Sequence, residues 1–252
     1  GARVFCLHPH QEEYCVAPAS VHRIPNALDP ARAVLAALKN GGADARFVGG
    51  CVRDALIGRG VNDIDIATDA RPERVMELLQ AAGLKAIPTG LQHGTVTAVA
   101  NHMPFEITTL RTDVETDGRH AKVAFTDDWK ADASRRDFTM NALSMTREGI
   151  IYDYFNGLRD LAECNVMFIG DPNKRIEEDY LRILRFFRFI GGYGTIPPFT
   201  PALSACRRAI EEIDNLSGER IRQEMMKILA QFNPTALFGL MADEHILERL
   251  IP

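Results

Sequence analysis

The sequence predicts an α+β chain, a head built on a mixed sheet followed by an all-helical second part. Three observations predict it. Short runs rich in Val, Ile and Thr alternate with helical periodicity until about Gly170. Two of those runs, residues 94–100 and 103–110, are separated only by Asn101-His102 and read as a hairpin, which a doubly wound parallel sheet would not contain. From Asp171 onward the helix signals are continuous. The expected division is an irregular extension over 1–27, a head over 28–169 and a helical domain over 170–252.

The elements follow in order. Asp29-Pro30 reads as an N-cap with Pro at the first helical position, opening a helix towards Lys39. Residues 45–48 form a short strand stopped by Gly49-Gly50, and residues 51–57 turn helical. Residues 62–67 alternate polar and apolar as a half-buried strand does, and Arg71-Pro72 opens a helix that Gly83 ends. Tyr152 with its neighbours, and residues 165–169, are expected as later strands. Asp171-Pro172 caps a helix expected to continue to about Ile190, a Gly/Pro loop covers 191–198, and further helices start near Pro201, Ser217 and Pro234.

Composition narrows the class. The 252 residues are 46% hydrophobic and 25% charged, which excludes a wholly disordered chain, a collagen repeat and a coiled-coil rod. No apolar run approaches the roughly 20 residues that cross a bilayer, so the expectation is a cytoplasmic protein with no membrane partner. The net charge of −5 offers nucleic acid no global attraction, and any such role needs a local basic patch. Five cysteines, an odd number with no CxxC pair, suit reduced thiols. Cys6, His8, His10 and Cys15 fit no zinc-finger spacing.

Asn62-Asp63-Ile64-Asp65-Ile66 carries the strongest local signal. On a strand, residues two apart share a face, so Asp63 and Asp65 are expected side by side while Ile64 and Ile66 enter the core. Like charges that close repel unless a cation lies between them, and hard carboxylate oxygens suit Mg²⁺ at about 2.0–2.1 Å. The same pattern also suits a solvated strand end. Upstream, the Gly49-Gly50 turn running into a helix is a backbone donor site for phosphate. Phosphate cradle and metal carboxylates together describe a nucleoside triphosphate site, with neither a Rossmann nor a P-loop motif present. Arg135-Arg136-Asp137 then runs into an apolar stretch, which also reads as an Asp-capped helix start or a surface ion pair.

GGCVRDALIG, NDIDIATDA, TGLQHGTVTAV, FEITTLR, DGRH, RRDFTMNALS and EEDYLRILRFFRF occur in the order and approximate spacing of the class II tRNA nucleotidyltransferases, the CCA-adding enzymes, with bacterial poly(A) polymerases as close kin. The chain resembles that family over about residues 46–224, including a weaker match in SGERIRQEMMKIL. The resemblance implies a polymerase-beta-like nucleotidyltransferase head followed by a helical neck, Mg²⁺ as cofactor, CTP and ATP as substrates and the tRNA 3′ end as partner. It implies Asp63 and Asp65 as catalytic metal ligands, Gly50 and Arg53 as triphosphate contacts, Arg136 and Asp137 as nucleotide contacts, and Asp179, Arg182, Arg185 and Arg188 as base-reading neck residues. A poly(A) polymerase, an enzyme adding only CC or only A, or a weakly active RNA- or nucleotide-binding fragment are the alternatives. The family continues past the neck into helical domains that hold the tRNA elbow, whereas this sequence ends at Pro252.

The base-reading role has a physical side. Cytosine and adenine both present an amine donor beside a ring-nitrogen acceptor, so a carboxylate next to a guanidinium pairs with either. Asp179 and Arg182 are expected at i and i+3 on a helix, neighbours that offer both groups together; an ordinary helical ion pair is the competing reading. Arg185 and Arg188 continue at steps of three and rotate away from Asp179, towards phosphate contact or bracing. Glu106 lies on a strand between Phe105 and Ile107 and is a possible third carboxylate near the metals. Arg111, Asp117 and Arg119 fall where the family has a mobile loop.

Overall fold

The computed structural model describes residues 13–15, 28–61, 63–116, 121–196, 198, 200–231 and 234–250. Asp117 and Arg119, like Cys6, His8 and His10, lie outside the described residues. The chain forms two compact units. Among the described residues, the first comprises those up to Val114, Val123–Arg136 and Asn141–Gly157, and the second those within Glu115–Lys122, Asp137–Met140 and from Leu158 onward.

The first unit is built on an eight-stranded sheet. Its strands are β1 (Glu13–Cys15), β2 (Ala45–Val48), β3 (Asp65–Thr68), β4 (Lys85–Gly90), β5 (Thr95–Ala100), β6 (Met103–Thr109), β9 (Ser144–Met145) and β10 (Ile150–Tyr152), in the spatial order β1-β10-β9-β2-β3-β6-β5-β4. β7 (Arg111–Thr116) and β8 (Ala121–Phe125) pair separately. All neighbours in the large sheet are antiparallel except β3 and β6, which run parallel, so the sheet is mixed as expected. Alternation explains the pairing: β5 buries Val96, Ala98 and Ala100, and β6 buries Phe105 and Ile107. The β5–β6 turn places Asn101 and His102 at φ 49° and 64°, the left-handed pair that a two-residue hairpin requires.

Helix α1 (Leu28–Asn40) packs on α3 (Pro72–Ala81) and β5, and α3 packs on β4. Pro72 at N1 starts α3, and Gly83 at φ 73° follows its end. Helix α2 (Gly50–Leu56) follows β2 directly, and α4 (Trp129–Ser134) is capped by Asp128, whose carboxylate accepts from the backbone of Lys130 and Ala131.

The second unit carries α5 (Gly157–Ala162), α6 (Pro172–Glu178), α7 (Leu181–Tyr193), α8 (Thr200–Arg208), α9 (Gly218–Leu229), α10 (Pro234–Asp243) and α11 (Ile246–Leu250). Buried Phe138, Phe168, Phe186 and Phe189 form its aromatic centre, with ring centroids 4.8–6.4 Å apart. No described helix is long and apolar enough to cross a membrane.

Four expectations change. The extension over 1–27 is not wholly irregular, because β1 pairs with β10. Residues 165–169 add no sheet strand: their backbone pairs with 137–139, through a Phe138–Phe168 bridge and hydrogen bonds from Thr139 to Met167 and from Ile169 to Asp137. These two stretches therefore belong to the helical unit, and the division falls at Leu158 rather than at 170. The helix expected from 172 to about 190 is two, because Asp179 is extended at φ −160°, ψ 105°.

Candidate active site

The first β3–β6 ladder pair sets Asp65 opposite Glu106, and both carboxylates line a cavity of about 110 Å³ in the first unit. Ile64 and Ile66 are buried as expected. Asp63 lies just before the strand and is exposed, with its charge acting on Asp65, and the ladder adds Glu106 as a second carboxylate across from Asp65. Burial holds the Asp65 carboxyl above the usual carboxylate range; Glu106 and Asp63 push the same way and Arg136 opposes them. Beneath the strand, the Cys51 thiol donates to the carbonyls of Val48 and Asp65, and burial pushes it up to about 11, so it stays neutral.

Three arginines face the carboxylates in the same cavity: Arg111, Arg135 and Arg136. Arg136 Nη1 donates to the Asn141 carbonyl at 3.3 Å and lies where a Cβ on Gly49 would meet it at 2.7 Å. Gly49, at φ 73°, is thus the glycine that the turn demands on both counts, whereas Gly50 has ordinary room. Arg53 is buried; it donates to Asp54 at 2.9 Å and to Asn141 Oδ1, tying α2 to the segment after Arg136. Neither Gly50 nor Arg53 is among the cavity-lining residues. The sequence motifs contain Gly49 and Arg135 but assign the contacts to their neighbours Gly50 and Arg136, and Asp132 has no place in them. An Asp three residues before an arginine pair is the sequence signal that points to it.

In the second unit the neck residues form a chain of ion pairs. Asp137 is buried; its Oδ1 accepts from the backbone N–H of Phe138 at 2.8 Å and its Oδ2 from Arg185 Nε at 2.8 Å. It caps no α-helix and is not a surface pair. Burial alone lowers the Arg185 guanidinium, but Asp137 and then Glu224 raise it above its ordinary value. Arg188 Nε donates to Glu224 at 2.6 Å; burial pushes the Glu224 carboxyl up, yet Arg188, Lys227 and Arg185 hold it below the usual range.

The side chains of Asp179 and Arg182 do not pair with each other, although the Arg182 N–H donates to the Asp179 carbonyl at 3.0 Å. Asp179 Oδ1 accepts from the Leu181 N–H at 3.1 Å and Oδ2 from Arg220 Nη2 at 2.8 Å. Arg182 Nη1 donates to the Arg175 carbonyl at 2.6 Å and to Glu178. The reason is the extended backbone at Asp179, which removes the helical neighbourhood on which that pairing depended.

The donors around Asp65 are hard carboxylate oxygens that repel one another, which suits a divalent cation. Among the described residues no three His, Cys, Asp or Glu side chains are gathered to hold a metal by themselves. Mg²⁺ commonly takes only one or two carboxylates, completing its shell with water and substrate phosphates, so the pair fits that ion.

Residues 45–167 match the family described as the poly A polymerase head domain, and residues 201–252 match the "Probable RNA and SrmB- binding site of polymerase A". The mitochondrial CCA tRNA nucleotidyltransferase 1 of Danio rerio is 47% identical over 191 residues, covering 74% of this chain and 44% of that protein. The CCA-adding enzyme of Leuconostoc citreum is 40% identical over 212 residues, covering 83% and 51%. Among solved structures, the Bacillus stearothermophilus CCA-adding enzyme in complex with CTP superposes with a TM-score of 0.79 at 34% identity, covering 88% of this chain and 53% of that one. The Thermotoga maritima CCA-adding enzyme complexed with tRNA gives 0.80 at 26% identity, covering 96% and 57%. The chain spans about half the length of the curated relatives it matches. With those motifs in order on a matching head and helical unit, the chain belongs to the family of CCA-adding tRNA nucleotidyltransferases and poly(A) polymerases.

Proposed function

We propose that the chain transfers nucleotidyl groups from CTP and ATP to the 3′ end of tRNA, adding C, C and A without a nucleic-acid template and releasing pyrophosphate. The observation that carries this reading is the Asp65–Glu106 pair facing Arg111, Arg135 and Arg136 in one cavity. Carboxylates opposite guanidinium groups are what a metal-bound triphosphate needs: anionic ligands for the metal and bidentate donors for the phosphates. The relatives named above support the substrate class.

Asp65 and Asp63, with Glu106 across the ladder, are the residues that would hold Mg²⁺. Bound there, the ion would lower the pKa of the RNA 3′-hydroxyl and steady the charge on the triphosphate. Arg135 and Arg136 bind the phosphates and hold the α-phosphorus in line for attack, and they neutralise the pyrophosphate as it leaves. Gly49 keeps its turn clear so that Arg136 can lie across it. For Asp179 and Arg182 the proposed role is recognition of the Watson–Crick edge that C and A share, which requires each to exchange its present partner, Arg220 or Glu178, for the base. A mismatched base would leave these polar groups unpaired, at about 1–3 kcal/mol each.

The description of the matching head family favours one second reading, a poly(A) polymerase. Incubation with Mg²⁺, a tRNA lacking its CCA end and each labelled triphosphate in turn separates the two. Stepwise C, C, A incorporation is the expected result; long A tails would establish the second reading instead, and no incorporation from any triphosphate would defeat both.

A further inference from the structure

The cavity contains a third carboxylate that the proposed chemistry does not use. Asp132, on α4, is buried, and its Oδ1 accepts from the backbone N–H of Arg111 at 3.1 Å and from Arg135 Nε at 2.9 Å. Its Oδ2 lies 3.7 Å from Arg136 Nη2. All three partners are the arginines of the cavity wall. The helix that carries Asp132 is itself fixed: Asp128 caps it, and Trp129 packs on Val48, Ala67 and Leu110 with the Arg46 guanidinium 4.0 Å above its ring. Arg46 in turn stacks on Tyr152 at 3.7 Å and pairs with Asp44.

A buried charge on a rigid helix is an anchor for flexible groups. Arginine side chains carry large rotamer freedom, and a site that binds phosphate through them is effective only when they are held in advance. Engaging Arg135 by its Nε edge fixes the plane of its guanidinium, which has five N–H donors in all. The charge on Asp132 also draws Arg136 away from collapse onto Asp65, whose carboxylate attracts the same guanidinium.

We infer that Asp132 is a positioning residue: it presents Arg135 and Arg136 as a preformed triphosphate-binding fork and pins the start of β7 through Arg111. This deepens the proposed function and rests on reading the cavity as a triphosphate site. The recognised chemistry is the polyphosphate rather than the base, so the effect is common to all triphosphates.

The test is equilibrium binding of CTP, ATP and inorganic tripolyphosphate, each with Mg²⁺, to the whole 252-residue chain, beside steady-state KM and kcat. Asp132→Asn keeps the shape and an acceptor oxygen but loses the charge. It is expected to weaken all three ligands by a common factor of about tenfold or more, as loss of an orienting partner does, and to raise triphosphate KM while leaving KM for the RNA unchanged. In a background carrying both Arg135→Gln and Arg136→Gln the same change adds little, because the three act as one unit. Melting temperature reports the fold, and Asp132→Glu, which keeps the charge but moves it by one methylene, carries the same test if Asp132→Asn does not fold. Folded variants that bind tripolyphosphate as the unaltered chain does, or effects that multiply fully in that double background, overturn the inference. If the unaltered chain binds none of the three ligands, the triphosphate reading itself fails and the role of Asp132 falls with it.

Discussion

At the scale of single residues, the Asp65 carboxylate is held against its own preference. Burial raises Asp65, and Glu106 and Asp63 add to it. A carboxyl raised in the folded chain contributes stability below its unfolded pKa, about 3.9, and loses it as pH rises through the raised value. Ionised Asp65 therefore works against the fold at neutral pH. Asp65→Asn, with divalent ions removed, is expected to melt higher than the unaltered chain at pH 7–8, and the gain should vanish below about pH 4. Mg²⁺ should raise the melting temperature of the unaltered chain and not of the variant. Equal melting at neutral pH with no response to Mg²⁺ would remove the electrostatic basis of the site. Much of this was legible: Asp65 between two buried isoleucines announces a carboxylate at a strand face. Glu106 is readable as a third carboxylate from its own strand, but its place directly across from Asp65 is not, because that depends on a parallel pairing between strands about forty positions apart, which no local pattern encodes.

At the scale of elements, the break between α6 and α7 governs the base-reading proposal. Asp179 ends one helix in extended geometry and accepts the Leu181 N–H, a capping arrangement within a run that reads as continuous helix in sequence. The apolar periodicity conceals the break because Ile176, Leu181, Ile183 and Leu184 are buried on both sides of it. β4 went unread for a related reason: Pro88 interrupts its pattern, and an edge strand tolerates that residue. Arg182→Ala is expected to lower incorporation of CTP and ATP relative to UTP by roughly tenfold, the worth of one buried hydrogen bond. Loss of rate by one factor for all four triphosphates would make Arg182 a helix-end brace, consistent with its bond to the Arg175 carbonyl. The aromatic centre of the helical unit sets the element stability. Phe186 is fully buried against Phe138, Phe168 and Phe187, so Phe186→Ala should cost about 3–5 kcal/mol in denaturant unfolding. A loss below about 1 kcal/mol would mean that the ring cluster does not carry that unit.

At the scale of the whole molecule, the α+β class and the helical second part were readable because they rest on texture, whereas the line between units was not. Residues 137–140 and 165–169 pair with each other and so leave the sheet-bearing unit. Charge acts at this scale too. The chain carries a net −5, and Arg185, Arg188, Arg207 and Arg249 are engaged with carboxylates, which leaves these four less available to an RNA backbone. For two or three neutralised phosphates the slope of log affinity against log salt is roughly −2 to −3 on a duplex. An acceptor-stem minihelix should then bind this chain almost as well as full-length tRNA. A slope steeper than about −6, or a large advantage for full tRNA, would reveal an extended gripping surface. The most direct measurement is extension of a tRNA that lacks its last three nucleotides, with CTP, ATP and Mg²⁺, by the unaltered chain and by Asp65→Ala side by side. The unaltered chain is expected to add C, C and A and then stop, and Asp65→Ala to add nearly nothing at an unchanged fold; turnover retained in Asp65→Ala, or no extension by the unaltered chain, would overturn the assignment of Asp65 and of the reaction.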